Sequence, residues 1–210
     1  MMPIGDDNSQ RKSTPIITYA LILLNVLVYF LEVSGGEEFV LKWAFVPSRF
    51  LANPIAELPT LFTSMFMHAG LGHLGGNMLY LWIFGDNVED RFGKLKFLIF
   101  YLLCGIAATF SQLFFSIASQ RPNVGASGAI AGVLGAYILM WPQGEVKILV
   151  GHFISQMPAL LVIGFWFFLQ FISGVGSAAS TTEEGGVAYF AHIGGFIAGL
   201  ILAFVFTRTK

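Results

Sequence analysis

The sequence predicts an all-α, polytopic membrane protein of six transmembrane helices, the fourth of them short and starting inside the membrane. Three observations predict it. Only 11% of the 210 residues are charged, where soluble domains carry about 25%. Hydrophobic residues make up 56%, with Phe alone supplying 22, and a chain of this size cannot bury that much apolar surface in one aqueous core. Apolar runs recur at 16–33, 70–85, 97–118, 127–141, 148–173 and 187–207, free of Lys, Arg, Asp and Glu but for Glu32 near the end of the first, and about 20 apolar residues at about 1.5 Å each cross about 30 Å of hydrocarbon. The composition excludes other classes too. A net charge of −1 with scattered Lys and Arg gives nucleic acid no basic face, and the hydrophobicity excludes disorder. The single Cys104, inside an apolar run, offers neither a disulfide framework nor a thiolate metal cluster.

The first run opens at Thr14-Pro15, an N-cap followed by proline at the first helical position. It is too long and too far into the chain for a cleavable signal peptide. Residues 1–14 therefore read as a short cytosolic tail, 15–207 as the membrane domain and 208–210 as a second cytosolic tail. The 34–69 connection holds Trp43, Phe45, Phe50, Leu61, Phe62 and Phe66, too apolar for a solvated linker, and is expected to pack against the outer leaflet. The fourth run, from Ser127 to Trp141-Pro142, reaches roughly 22 Å and cannot cross alone. Its outer end must lie inside the membrane, reached by an inward dip of Pro122-Asn123-Val124-Gly125-Ala126 as irregular backbone. Between the fifth and sixth runs, 174–186 is Gly, Ser, Ala and Thr with one Val and two Glu, a flexible composition. All 11 basic residues lie outside the runs. With a cytosolic N-terminus, eight (Arg11, Lys12, Arg91, Lys94, Lys96, Lys147, Arg208, Lys210) fall inside and three (Lys42, Arg49, Arg121) outside, which predicts both ends in the cytosol.

Several polar residues share one depth. Counted from the cytosolic ends, Ser127, His192 and His73 each stand about 20–22 Å up their helices. Asn77 lies one turn deeper than His73 on the same face, and its side chain leans back toward that layer. A serine is a poor nucleophile until a neutral imidazole within hydrogen-bond reach takes its proton, and His192 is the candidate base. The Ser127 backbone N–H, the His73 ring and the Asn77 amide are candidate donors to the oxyanion of an acyl-transfer intermediate. Apart from Glu32, near the outer end of the first run, no Asp or Glu lies inside a run, so the expectation is a Ser-His dyad. Gly128, Gly132 and Gly135 on the fourth helix and Gly194, Gly195 and Gly199 on the sixth would let the two backbones touch.

These residues resemble the rhomboid family of intramembrane serine proteases. The matching strings are His68-Ala69-Gly70-Leu71-Gly72-His73-Leu74-Gly75-Gly76-Asn77, Gly125-Ala126-Ser127-Gly128-Ala129 and Ala191-His192-Ile193-Gly194-Gly195. Val88-Glu89-Asp90-Arg91-Phe92-Gly93 and Gly185-Gly186-Val187-Ala188 add secondary matches. The resemblance covers roughly 15–207. It implies a rhomboid-like six-helix bundle with Ser127 as nucleophile, His192 as general base and acid, and His73 and Asn77 as oxyanion donors. Gly125 and Gly128 flank the serine, and His68 organises the outer rim of the site. The sequence departs from some members at two places: Trp43 is followed by Ala44 rather than arginine, and Ala131 stands where a tyrosine would stack on the base.

The function implied is cleavage of transmembrane segments of membrane-protein substrates near the outer leaflet, through an acyl-enzyme, in a prokaryotic plasma membrane. The partners are single-span substrates and the lipid bilayer. No cofactor or metal is expected, because His68 and His73 are five apart where a zinc pair on one helix wants i, i+4. A rhomboid-like protein that binds membrane helices without cutting them is the alternative, followed by a channel or transporter, which would want intramembrane charges or repeats. His152 reads as interfacial, and Asn25, Gln112 and Gln170 read as interhelical hydrogen bonds. Phe165, Trp166 and Phe168 of the fifth helix are candidates to close a lateral entrance.

Overall fold

A computed structural model of the chain describes residues 2–179 and 187–208. The first apolar run folds as α1 (Ile16–Trp43), bent at Gly36, where φ is 59° and ψ −151°, a conformation glycine adopts without strain. A series of short turns follows, α2 (Pro47–Ala52), α3 (Pro54–Glu57), α4 (Thr60–Thr63) and a 3₁₀ turn at Ser64–Phe66. The long helices α5 (Leu71–Phe92), α6 (Lys94–Phe115), α7 (Ser127–Met140), α8 (Ala159–Ala179) and α9 (Tyr189–Arg208) complete the bundle. Four of these helices, α1, α6, α8 and α9, are long and apolar enough to cross a membrane, and α7 is a shorter apolar helix. The chain is thus a polytopic helical membrane protein. The far end of α5 carries Asp86, Glu89, Asp90 and Arg91, which sets it apart from those four.

Helix α7 is the hub. Its side chains are buried from Gly128 through Tyr137, and a helix apolar on every face belongs inside a bundle. It packs on α5, α6, α8 and α9, most intimately on α9. It begins at Ser127, where the fourth run was expected to begin.

Two expectations are corrected. The protein is predominantly helical but not all-α, because β1 (Met2–Asp6), β2 (Glu145–Val150) and β3 (Phe153–Pro158) form an antiparallel sheet of order β1-β2-β3. The fifth helix accordingly starts at Ala159, and 148–158, expected as its first turns, belong to the hairpin. The physical reason is a period of two in Glu145-Val146-Lys147-Ile148, whose Val146 and Ile148 are fully buried while Glu145 and Lys147 face out. Gly151, at φ 60°, supplies the turn with His152. His152 therefore sits in a hairpin turn rather than on a helix.

The expected N-terminal tail forms β1 and ties the far end of the bundle together. Asp6 accepts hydrogen bonds from Tyr137 (2.8 Å) on α7 and from Asn87 on α5. Burial, with help from the nearby Asp86 carboxylate, pushes the Asp6 pKa up to about 6. The start of α1 is capped not by Thr14 but by Glu89, which accepts from the Ile17 and Thr18 amides (3.0 and 2.7 Å) and the Thr18 hydroxyl (2.8 Å). A carboxylate there satisfies otherwise orphaned N–H groups and complements the helix dipole.

Candidate active site

The site is built on the seam between α7 and α9. A Cβ on Gly195 would lie 2.0 Å from the Gly128 carbonyl oxygen, one on Gly199 2.1 Å from that of Gly132, and one on Gly135 2.4 Å from that of Phe196. Side chains cannot occupy such gaps, so the backbones meet directly, as the glycine spacing predicts. A Cβ on Gly128 would meet Ala108 at 2.5 Å, so α6 closes on the same seam. On α9, Gly194 lies against Ser111 of α6, whose hydroxyl donates to the Phe190 carbonyl (2.8 Å). Gln112 accepts from the Ala191 amide (3.2 Å).

This seam brings Ser127 at the start of α7 to His192 in the first turn of α9, with Oγ 2.7 Å from Nε2. The segment before Ser127 is irregular, as expected, and is pinned to the 34–69 connection. The Asn123 amide donates to the Phe45 carbonyl (2.7 Å) and the Gly125 amide to the Ser64 carbonyl (2.9 Å). Gly125 has φ +137°, and a Cβ there would stand 2.9 Å from His73 Cε1 and 3.5 Å from Ser127 Oγ. Conformation and proximity together require glycine, and its lack of a side chain lets the His73 ring approach the serine.

His73 and Asn77, one turn apart on α5, line with Ser127 and His192 a cavity of about 960 Å³. Its other walls include Tyr80, Ile130, Leu134 and Trp166. The Asn77 amide nitrogen is buried and, among the described residues, without a hydrogen-bond partner, and a buried donor left open calls for an explanation. His68 is only 1% exposed, with its ring edge-on to that of His73 at 5.1 Å between centroids. Its backbone amide donates to Glu32 of α1 (2.8 Å).

What holds the His192 ring is not among the residues the sequence points to. Gln170 of α8, expected only as an interhelical hydrogen bond, places Oε1 2.7 Å from His192 Nδ1. Trp166, one turn earlier, lies over the ring at 5.8 Å and 40°. Their i, i+4 spacing puts both on one face of α8, and a lone amide in an apolar run was the available signal. Phe165 and Phe168 are 51% and 55% exposed and point away from the bundle, so of the three aromatic candidates Trp166 alone lines the cavity. In the 34–69 connection, Arg49 is tied to the backbone that follows Trp43. Its guanidinium donates to the Ala44 carbonyl (2.6 Å) and the Leu41 carbonyl, and pairs with Glu57 at 2.7 Å. With Nε2 accepting the Ser127 hydroxyl proton, Nδ1 carries the ring hydrogen and donates it to Gln170. Such an arrangement can remove the hydroxyl proton during attack on a carbonyl. Among the described residues, no group of three or more His, Cys, Asp or Glu is arranged to hold a metal ion.

The sequence profile of the Rhomboid domain matches residues 56–209. The chain is 32% identical over 197 residues to "Rhomboid protease GluP" of Bacillus subtilis (strain 168), covering 92% of this chain and 35% of that protein. It is 28% identical over 199 residues to "Rhomboid protein 1, mitochondrial" of Saccharomyces cerevisiae, covering 91% and 54%. It is 31% identical over 134 residues to "Presenilin-associated rhomboid-like protein, mitochondrial" of Homo sapiens, covering 61% and 34%. The chain thus spans between about a third and about half of the length of these curated relatives.

Proposed function

The chain belongs to the rhomboid family, and from that premise we propose that it is an intramembrane serine endopeptidase acting through a Ser127–His192 dyad. The observation that carries the proposal is the 2.7 Å contact between Ser127 Oγ and His192 Nε2 at the wall of an open cavity. In the reaction Ser127 Oγ attacks the scissile carbonyl as its proton passes to His192 Nε2, giving a tetrahedral intermediate. The Ser127 amide, the His73 ring and the open Asn77 amide stabilise its oxyanion. His192 then protonates the leaving amine, and water, deprotonated by the same imidazole, hydrolyses the acyl-enzyme.

The substrate class follows from the surroundings. Helices α1, α5, α6, α7, α8 and α9 form six spans, with Leu71 to Gly85 as the apolar length of α5. The distribution of Lys and Arg supports cytosolic placement of the β-sheet end; the membrane itself is proposed to be a prokaryotic plasma membrane. Ser127 then lies about 9 Å below the outer surface, taking about 30 Å for the core and about 21 Å for its height. The cavity walls come from α5 on one side and from α8 and α9 on the other, which supports lateral entry of a transmembrane helix between α5 and α8. Such a helix must unwind locally before a carbonyl is free for attack, most readily at Gly or Pro.

The test is to incubate the purified protein in detergent with a single-span substrate and with a small fluorophosphonate. Wild type should cleave the one and be labelled by the other, and Ser127→Ala should do neither. A wild-type protein that binds the substrate but is never labelled would replace this proposal with the helix-binding alternative.

A further inference from the structure

We infer that Gln170 is the positioning residue of the base, so that α8 completes a Ser-His-Gln chain rather than leaving His192 to act in a bare dyad. The inference rests on the reading of Ser127 and His192 as nucleophile and base. An imidazole serves as base only in the tautomer whose Nε2 is free to accept, which places its hydrogen on Nδ1. The Gln170 carbonyl oxygen, 2.7 Å from Nδ1, is purely an acceptor, so the contact selects that tautomer and fixes the ring's rotation. Trp166, on the same face of α8, restrains the ring plane at 5.8 Å. Both contacts therefore come from one helix, at the histidine edge opposite the serine.

The choice of an amide has a physical reason. A carboxylate is the usual orienting partner, but an ionised group at this depth is costly. An amide supplies the acceptor without the charge, as asparagine does in the Cys-His-Asn proteases. Burying an amide in an apolar helix is itself unfavourable unless it is hydrogen-bonded, and His192 Nδ1 is a partner Gln170 has. The alignment of the base consequently depends on α8 lying against α9. A substrate that displaces α8 on entry loosens the base until the helix settles again.

The experiment measures kcat and KM on a single-span substrate, and the rate of fluorophosphonate labelling, for the full chain in detergent. Gln170→Met keeps the shape and removes the acceptor, and should lower kcat and the labelling rate at least about tenfold, with KM within about twofold. Gln170→Glu keeps a carbonyl oxygen acceptor, as the neutral carboxylic acid that this depth favours, and should restore labelling to within a few fold of wild type. Wild-type kcat in Gln170→Met beside an inactive Ser127→Ala would overturn the positioning role alone. An active Ser127→Ala would instead remove the dyad reading beneath it. Equal slowing in the Met and Glu variants at unchanged melting temperature would also overturn the inference. If the Met variant does not fold, Gln170→Glu decides by itself: labelling near the wild-type rate supports the role, and loss of labelling in a folded protein refutes it.

Discussion

At the scale of single residues, the open Asn77 amide separates stability from catalysis. Its nitrogen is buried without a partner among the described residues, so removing it sacrifices no hydrogen bond to any of them. Asn77→Ala should leave the melting temperature close to that of wild type and lower kcat by about 100- to 1,000-fold, read in parallel on one preparation. Labelling by a fluorophosphonate should survive, because nucleophile and base are intact. A variant with wild-type kcat would show that the amide faces no developing charge. Ser127→Ala, His192→Ala and the double variant should in contrast be about equally inactive, since the pair acts as one unit. Ser127, His192, His73 and Asn77 were legible because each is a polar residue at a countable height on an apolar helix. Gln170 satisfies the same rule, yet an unbroken apolar run carries no azimuth for α8, and a lone amide on such a helix has many possible partners. The same missing azimuth left Phe165 and Phe168 indistinguishable from Trp166.

At the scale of elements, the α7–α9 seam and the α5–α8 opening make opposite demands. Gly199→Ala drives a methyl group against the Gly132 carbonyl oxygen, and overpacking of this kind costs about 1–3 kcal/mol. It should lower the melting temperature and the cleavage rate together, because the separation that relieves the clash also parts Ser127 from His192. Gly75→Ala on α5 is the control. Nothing stands within 4 Å of its would-be Cβ, and alanine should be neutral or stabilising by about 1 kcal/mol. Across the opening, a cross-link tying α5 to α8 should stop cleavage of a transmembrane substrate and spare labelling by a small fluorophosphonate. Unchanged cleavage would exclude lateral entry there. The start of α7 was readable to the residue because its shortness forced an irregular approach. The start of α8 was not, since a search for uncharged runs joins a β-strand to a helix whenever no charge separates them, as from Ile148 to Ala159.

At the scale of the whole molecule, Asp6 links folding to pH from the end of the bundle farthest from Ser127. Its pKa lies near 6 in the folded protein against an ordinary 3.8. Between about pH 4 and 6 the folded chain therefore holds a proton that the unfolded chain has released, and stability falls as pH rises through that window. Asp6→Asn keeps an oxygen acceptor for Tyr137 and Asn87 without the charge. It should melt above wild type at pH 7, with the difference shrinking toward zero below pH 4; a difference independent of pH would refute the linkage. The glycine seam has a consequence of another kind. A joint made of main chain alone contains no rotamers, so its fit has no alternative packing to slip into as the temperature rises. The contacts from α8 run instead through two long side chains, each with several torsions to lose. On warming or in harsh detergent, the ring of His192 should be released on the Gln170 side while it still touches Ser127. Activity would then fade, reversibly, well before the helices separate.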